Sequence, residues 1–357
     1  MKRISKLGPT IPVFILFITL SLSFSVTGST LQVCKIGCDY SSIGEAIKNS
    51  SRGDSIKVQN GNYTEDLRID RDVSIVGANS RWVRIIPSDP STPAIVVGPS
   101  SARVEISNIT VTGEGKRPKS GITVTGDSRL TMTNSRVSNF QSGLTARDSS
   151  YLKTRETEVG NSGVGVAGFD NSEVIVSGSS ITSAKTGLLA SNSTNITVAD
   201  AEVTGCETNA LLAKETAKFN VISSSISNNQ GTGVTLKNFS RLNMKETQVS
   251  SNESGGLLVT NSAIANLSDN QITYNKKKNV SIISKKCGFS GPSNRFFGEV
   301  NGAGNEINPA DSNTICPQKF AGITSGDGGN YSYPFKPSTY AFIGLIGAAS
   351  FYFLISG

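Results

Sequence analysis

From Gly121 onward the chain repeats itself, and an internal repeat constrains a fold more tightly than any single motif. In register the units read "GITVTGDSRLTMTNSRVSNFQS" from Gly121, "GLTARDSSYLKTRETEVGNSGV" from Gly143, "GVAGFDNSEVIVSGSSITSAKT" from Gly165 and "GLLASNSTNITVADAEVTGCETN" from Gly187. They continue from Ala210, Gly233 and Gly256, with a period of 22 residues that lengthens to 23. The same columns are apolar in every unit. One position after each start stand Ile122, Leu144, Val166, Leu188, Leu211, Val234 and Leu257. Nine after it stand Leu130, Leu152, Val174, Ile196, Phe219, Leu242 and Ala265, and sixteen after it Val137, Val159, Ile181, Val203, Ile226, Val249 and Ile272. Around each column polar and apolar residues alternate, the period of a half-buried strand.

Three short strands per unit, stacked unit on unit, predict an all-β fold. It is a single-stranded right-handed parallel β-helix, a solenoid of 22–23 residue coils filled by ladders of like side chains. With coils about 4.8 Å apart, roughly ten of them make a rod about 45 to 50 Å long. Upstream, "DSIKV", "DVSIVG", "AIVVG" and "RVEISNITVTG" supply about two or three looser coils, and "EGKRPKS" is an insert before the regular stack. An open end of such a stack exposes strand edges and core, so it needs a lid. Ser42-Ile43-Gly44-Glu45 is a capping box opening a short N-terminal capping helix with Ile43, Ala46 and Ile47 on one face. The expected boundaries are a disulfide loop and capping helix at 29–53, the β-helix at 54–286 and a C-terminal cap at 287–321.

Both ends point to export. Lys2, Arg3 and Lys6 precede an apolar run from Ile11 to Leu22, so 1–28 reads as a signal peptide. After a flexible linker at 322–339, the uncharged run Tyr340 to Ile355 within 340–357 reads as a membrane anchor, or as a lipid-attachment signal with Asp327-Gly328-Gly329 as its small residues. Either reading localises the protein on the extracellular side of a membrane, held at its C-terminus. In an exported chain the five cysteines read as disulfides. Cys34 pairs with Cys38 and Cys287 with Cys316, one pair at each end of the patterned region; Cys206 is left over, either buried or free for intermolecular pairing. Asn49, Asn62, Asn108, Asn192, Asn195, Asn238, Asn252, Asn266, Asn279 and Asn330 head glycosylation sequons. The formal charge of +7, reduced once the signal peptide leaves, is too weak to imply a nucleic-acid partner. The lack of histidine removes the commonest general base and transition-metal ligand.

From "CDYSSIGEAI" through "NRFFGEVNGAGNEI" the chain resembles NosD-like and related pectin-lyase-like β-helix proteins. In these a helix, a Gly-Asp turn, a strand and a Gly-x-Tyr turn follow one another, as in "RGDSIKVQNGNYTEDLRID". Arg52-Gly53-Asp54 therefore reads as a turn from lid to first strand and not as an adhesion signal. The resemblance implies the fold and, with it, several functions: polysaccharide lyases, galacturonan hydrolases, sugar epimerases, tailspike depolymerases and non-enzymatic adhesins share it. It also implies that substrate lies along the outer face of one sheet. The copper-related role of NosD does not carry over to a chain without histidine and with three methionines.

The outward positions of the first strand form a stripe that includes Thr145 and Arg147, Ala167 and Phe169, Leu189, Leu212 and Lys214, and Thr235 and Lys237. Arg147, Phe169, Leu189, Leu212, Lys214 and Lys237 could hold an acidic glycan, the ring stacking on a sugar and the cations pairing with carboxylates. The exposed leucines also suggest self-association. A glycosidase needs two carboxylates about 5 to 9.5 Å apart, and the stripe has none. The next column, Gly126, Asp148, Asp170, Asn192, Glu215, Asn238 and Asn261, is what turn chemistry alone gives. Its alternative is a calcium site on Asp148, Asp170 and Glu215, which with Arg147 or Lys214 as base would outline a lyase. A second acidic cluster, Glu156, Glu158, Asp200 and Glu202, repeats two coils apart at the second turn and third strand and has the same turn-chemistry reading. The leading expectation is a cell-surface, non-catalytic β-helix, structural or glycan-binding, whose partner is a cell-envelope or extracellular polysaccharide. The alternative is a polysaccharide lyase or hydrolase.

Overall fold

The computed structural model describes residues 28–115, 117–283, 299–303, 306–307 and 313–315. Three parallel sheets of 12, 11 and 11 strands run through it, each passing from coil to neighbouring coil in chain order. The first strand of each repeat lies in sheet I (Ser142–Ala146, for example), the second in sheet II (Tyr151–Arg155) and the third in sheet III (Glu158–Gly160). The register is that of the repeat. Ile122 pairs with Leu144 and Leu144 with Val166, Leu130 with Leu152, and Val137 with Val159. All three columns point inward and are buried, so the chain forms the expected all-β helix with one short lid helix.

Each coil turns three corners, and at most of them a left-handed residue is followed by a small buried one. Between sheets I and II the left-handed residues are Asp148, Asp170, Asn192, Glu215, Asn238 and Asn261, with φ from 53° to 61°. Between sheets II and III they include Glu156, Asp200, Ser223, Glu246 and Asp269. Asn and Asp enter this region most readily because their short polar side chains bond locally. The buried followers stack as Ser128, Ser150 and Ser172 at one corner and Ser135, Thr157 and Ser179 at another. The Ser128, Ser135 and Ser179 hydroxyls accept main-chain N–H groups from the preceding coil, Ser179 Oγ from Thr157 N–H at 3.1 Å, while Ser150 Oγ accepts Arg147 N–H of its own coil.

The lengthening from 22 to 23 residues has one location. Three residues join Ser180–Thr182 of sheet III to Thr186–Ala190 of sheet I, whereas four join Glu202–Thr204 to Asn209–Ala213. At this corner the buried position changes from Phe140, Ser162 and Ala184 to Cys206 and then to Asn229, Asn252 and Asn275. Cys206 N–H donates to Asn229 Oδ1 (2.8 Å), Asn229 Nδ2 to Asn252 Oδ1 (2.8 Å) and Asn252 Nδ2 to Asn275 Oδ1 (2.9 Å). Each amide also donates to a main-chain carbonyl, Asn252 to Ile226 at 3.0 Å. The wider turn leaves main-chain groups facing inward, and the amide stack satisfies them. A second stack lies outside sheet II, where Asn266, Asn243 and Asn220 donate in turn to Asn243, Asn220 and Asn195.

Cys206 is a buried free thiol, and burial pushes its pKa up to about 11. A thiolate is the reactive form, so native protein treated with a maleimide at pH 7 should give an unlabelled Cys206 peptide, with labelling only in denaturant. Rapid labelling of the native chain would contradict this placement.

The ends differ from the sequence expectation. Thr30–Val33 pairs with Asp54–Val58, so the stack begins at Thr30 and not at 54, and the Cys34–Cys38 disulfide closes the loop after it. Ser42 Oγ accepts Glu45 N–H (3.2 Å), but the Glu65 carboxylate supplies the rest of the cap, accepting from Ser42 Oγ, Ile43 N–H and Gly44 N–H at 2.7 to 3.0 Å. Asp54 is buried and accepts Ser29 and Ser51 N–H groups, both at 2.7 Å, while Arg52 pairs with Asp72. The Arg-Gly-Asp carboxylate is thus committed to the turn. At the far end Glu299–Ala303, Glu306–Ile307 and Asn313–Ile315 extend the three sheets, so a further coil lies where 287–321 was expected to be only a cap. Val300 and Ile307 take up the second and third columns in a Gly-rich stretch too sparse to show the period. Cys287, Cys316, Asn330 and the segments expected to be signal peptide, linker and anchor fall outside the described residues, apart from Gly28.

Candidate functional site

The outer face of sheet I is more closed than its sequence suggests. Thr145, Ala167, Leu212 and Thr235 are buried, Leu212 with 9% exposure, and Leu189 is half-buried. Neighbouring outward side chains cover them: Ser142 Oγ lies 2.8 Å from Thr145 Oγ1, and Thr235 Oγ1 donates to Asn209 Oδ1 at 2.6 Å. Of the leucines expected to be exposed, Leu212 is therefore packed within the face and Leu189 is partly covered.

What projects is the rim beside it. Arg147, Phe169, Ser191, Lys214 and Lys237 each follow a sheet I strand and are held in a column by intercoil bonds, Phe169 N–H to Ala146 O (2.9 Å) and Lys237 N–H to Ala213 O (3.0 Å) among them. Arg147 and Lys237 stand four coils apart, about 19 Å at a coil spacing of about 4.8 Å. The Arg147 guanidinium lies over the Phe169 ring, 4.3 Å from its centroid. Phe239, 64% exposed, belongs to the same corner two residues past Lys237. It was missed in the sequence, although it is the aromatic member of a column otherwise reading Ser149, Asn171, Ser193, Thr216 and Ser262.

The acidic column beside this rim ties coil to coil. Asp148 accepts Gly126 N–H at 2.9 Å, and Asp170 accepts Asp148 N–H at 3.3 Å and the Asn192 side chain at 2.9 Å. Glu215 accepts the Ser191 hydroxyl, and Asn192 N–H at 2.9 Å. These carboxylates serve the left-handed corners and do not converge, and among the described residues no group of three or more His, Cys, Asp or Glu is placed to hold a metal ion.

Two concavities lie on sheet III, where the sequence reading singled out only the acidic cluster Glu156, Glu158, Asp200 and Glu202. A groove of about 810 Å³ is lined by Glu156, Glu158, Asp200, Glu202 and Glu246, and a second of about 710 Å³ by Arg81, Arg84 and Arg136 together with Glu156 and Glu158. The two share Glu156 and Glu158, so the face is continuous, basic toward the N-terminus and acidic beyond. Arg84 pairs with Glu114 at 3.0 Å and Arg136 with Glu158. A readable signal existed: Arg84, Thr110, Arg136, Glu158, Ser180 and Glu202 occupy one outward column.

Of the sequons, Asn252 and Asn279 are fully buried within the amide stack, which corrects the expectation of glycans there; no glycan fits on them in the folded chain. Asn192 and Asn266 use their side-chain amides in intercoil bonds, and Asn49 donates to Glu45 O. Asn62 is exposed on the strand Gly61–Thr64.

Several carboxylates titrate low. The Ser191 hydroxyl, then Asn192 N–H and the nearby Lys214, hold Glu215 below its usual value. Burial raises Asp72, but Arg103 N–H and Arg52 outweigh it and its pKa is lowered. A depressed folded pKa contributes stability above the unfolded value, and that contribution is lost as pH falls through the folded one. The melting temperature should therefore be level from pH 7 to about 5 and fall below about pH 4. Glu215→Gln should flatten part of that fall, as read by circular dichroism. An equal acid slope in wild type and variant would count against it.

A family model described as "Right handed beta helix region" matches residues 36–200 and 160–296. Among solved structures the chain is similar to the Azotobacter vinelandii mannuronan C-5 epimerase AlgE6 A-module, with 18% identity, a TM-score of 0.62 and coverage of 76% of this chain and 82% of that one. It is also similar to the AlgE4 A-module from the same organism, with 16% identity, a TM-score of 0.58 and coverage of 67% and 75%. A mutant form of the periplasmic alginate epimerase AlgG gives 13% identity, a TM-score of 0.52 and 77% coverage of each chain. No curated protein sequence matches.

Proposed function

This chain belongs to the right-handed β-helix family, and on that footing we propose that it is an exported, surface-held protein that binds an acidic polysaccharide along the sheet I rim without cleaving it. The observation that carries the reading is the Arg147 guanidinium stacked 4.3 Å from the Phe169 ring, with Lys214 and Lys237 in the same column. A ring face suits the apolar face of a sugar, and Lys214 and Lys237 on adjacent coils, with Arg147 three coils before Lys214, suit carboxylates recurring along an extended chain. The Cys34–Cys38 disulfide supports an oxidising, exported location. Non-catalytic binding is favoured because the acids beside the rim, Asp148, Asp170 and Glu215, are engaged by main-chain N–H groups, leaving no facing pair for hydrolysis.

Calorimetry of the full chain should show binding to oligogalacturonate that weakens with salt, and none to a neutral oligosaccharide of equal length. The triple variant Arg147→Gln, Lys214→Gln, Lys237→Gln should lose at least about tenfold in affinity. Equal binding of the neutral sugar, or an unaffected triple variant, would sink the proposal. Release of unsaturated sugars on incubation would replace it with a lyase.

A further inference from the structure

We propose that the basic end of the sheet III groove is a second binding site for an acidic oligosaccharide, with Trp82 as its platform and Arg81, Arg84 and Arg136 as its anion contacts. The inference rests on reading the chain as a binder of acidic glycans, and assigns to that function a face separate from the sheet I rim. Trp82 is 56% exposed, and the Arg81 guanidinium lies 5.2 Å from its ring. An indole held open beside a cation is the pairing that takes the flat face of a sugar and its acid group together. Arg81, which lines the groove of about 710 Å³, has no carboxylate partner within salt-bridge distance among the described residues.

The other two arginines are paired in a way a ligand can displace. The Arg84 and Glu114 side chains are 38% and 42% exposed, and those of Arg136 and Glu158 are 56% and 40% exposed. Ion pairs this open to solvent contribute little and exchange readily. Arg84 and Arg136 flank Thr110 in one column, two coils or about 10 Å apart, which suits anionic groups on alternate sugars of an extended chain. The hydroxyl-bearing residues Thr110, Thr112 and Ser138 line the floor between them. Beyond Arg136 the groove turns acidic at Glu158 and Glu202, so like charge confines an acidic chain to the N-terminal end.

Trp82 is the single tryptophan of the chain and its ring lies against Arg81 of the groove lining, so its emission reports the basic edge of this groove. The full chain is titrated with a carboxylated probe, oligogalacturonate, a sulfated probe, a heparin hexasaccharide, and a neutral one, cellohexaose. A saturable change with at least one acidic probe and none with cellohexaose is expected. Arg81→Gln and Arg136→Gln should each weaken it at least about fivefold, with thermal melts confirming the fold, and the sheet I triple variant should leave it unchanged. Emission that stays still while calorimetry detects bound acidic sugar overturns the second site and leaves the rim reading standing. Absence of binding by both methods overturns both. A signal indifferent to the two arginine variants, or one that follows protein concentration without sugar and so marks pairing of two copies, overturns the second site.

Discussion

Replacing Asn252 by leucine should destabilise the protein by about 3 kcal/mol or more, although the two side chains are close in size. Asn252 Oδ1 accepts from Asn229 N–H and Nδ2, and its own amide donates to Ile226 O and Asn275 Oδ1, all inside a residue with no exposure. Leucine removes every one of these partners at once. A buried group stripped of its partner costs about 1 to 3 kcal/mol, and Asn229 N–H and Ile226 O would both be stranded, while Asn275 Oδ1 keeps only the main-chain N–H of residue 252. Apolar burial of the leucine does not restore them. For a chain of this size the loss corresponds to roughly 4 to 6 °C in melting temperature. Thermal unfolding followed by circular dichroism is the check, and a variant within about 1 °C of wild type would show that the stack is ornamental to stability.

Phe219→Ala should cost about 3 to 5 kcal/mol by a different route, the opening of a cavity. Phe219 sits with no exposure in the second inward column, between Ile196 and Leu242 on neighbouring coils. Both neighbours are held in register by ladder bonds on either side, so the coils cannot close over the gap. Because each coil of a solenoid touches only the next, the loosening should be local. Amide exchange should quicken in Asn195–Ala199, Lys218–Ile222 and Arg241–Lys245, and stay at wild-type rates in the coils before Gly121. Faster exchange spread evenly along the rod would contradict this.

The inward columns were legible from the sequence because each of them repeats an apolar residue at fixed spacing, and burial is the one property that such spacing encodes directly. Phe219, Leu188 and Val137 needed nothing else. The corner residues were legible as turns for a similar reason, Asp148 and Asn192 being short polar residues in register. Outward positions were not so readable. Leu189 and Leu212 looked exposed because alternation assigns them to the outside, but alternation cannot report that neighbours on the same face cover them. Arg81, Trp82 and Arg136 were passed over because the first two lie in an irregular early coil, and a groove depends on how corners flare, which no period records. The last coil hid for a third reason: Val300 and Ile307 occupy the right columns, but glycines and polar residues between them break the rhythm that would announce a strand.

The two asparagine stacks run in opposite senses. Along the buried one, fixed in orientation by main-chain carbonyls such as Val203 and Ile226, each N–H₂ points toward the C-terminal end of the rod. Along the outer one, from Asn266 back to Asn195, each points toward the N-terminal end. Side-chain amides are dipoles, and aligned dipoles add. Over the coils that the two stacks share, from Asn220 to Asn275, the two sums oppose each other, one at the corner between sheets III and I and one outside sheet II, so the rod gains the cohesion of head-to-tail alignment within each stack while its net axial moment from them stays small. A filament grown by adding coils to such a rod would accumulate almost no field at its tips, and so could lengthen from this source without a rising electrostatic cost.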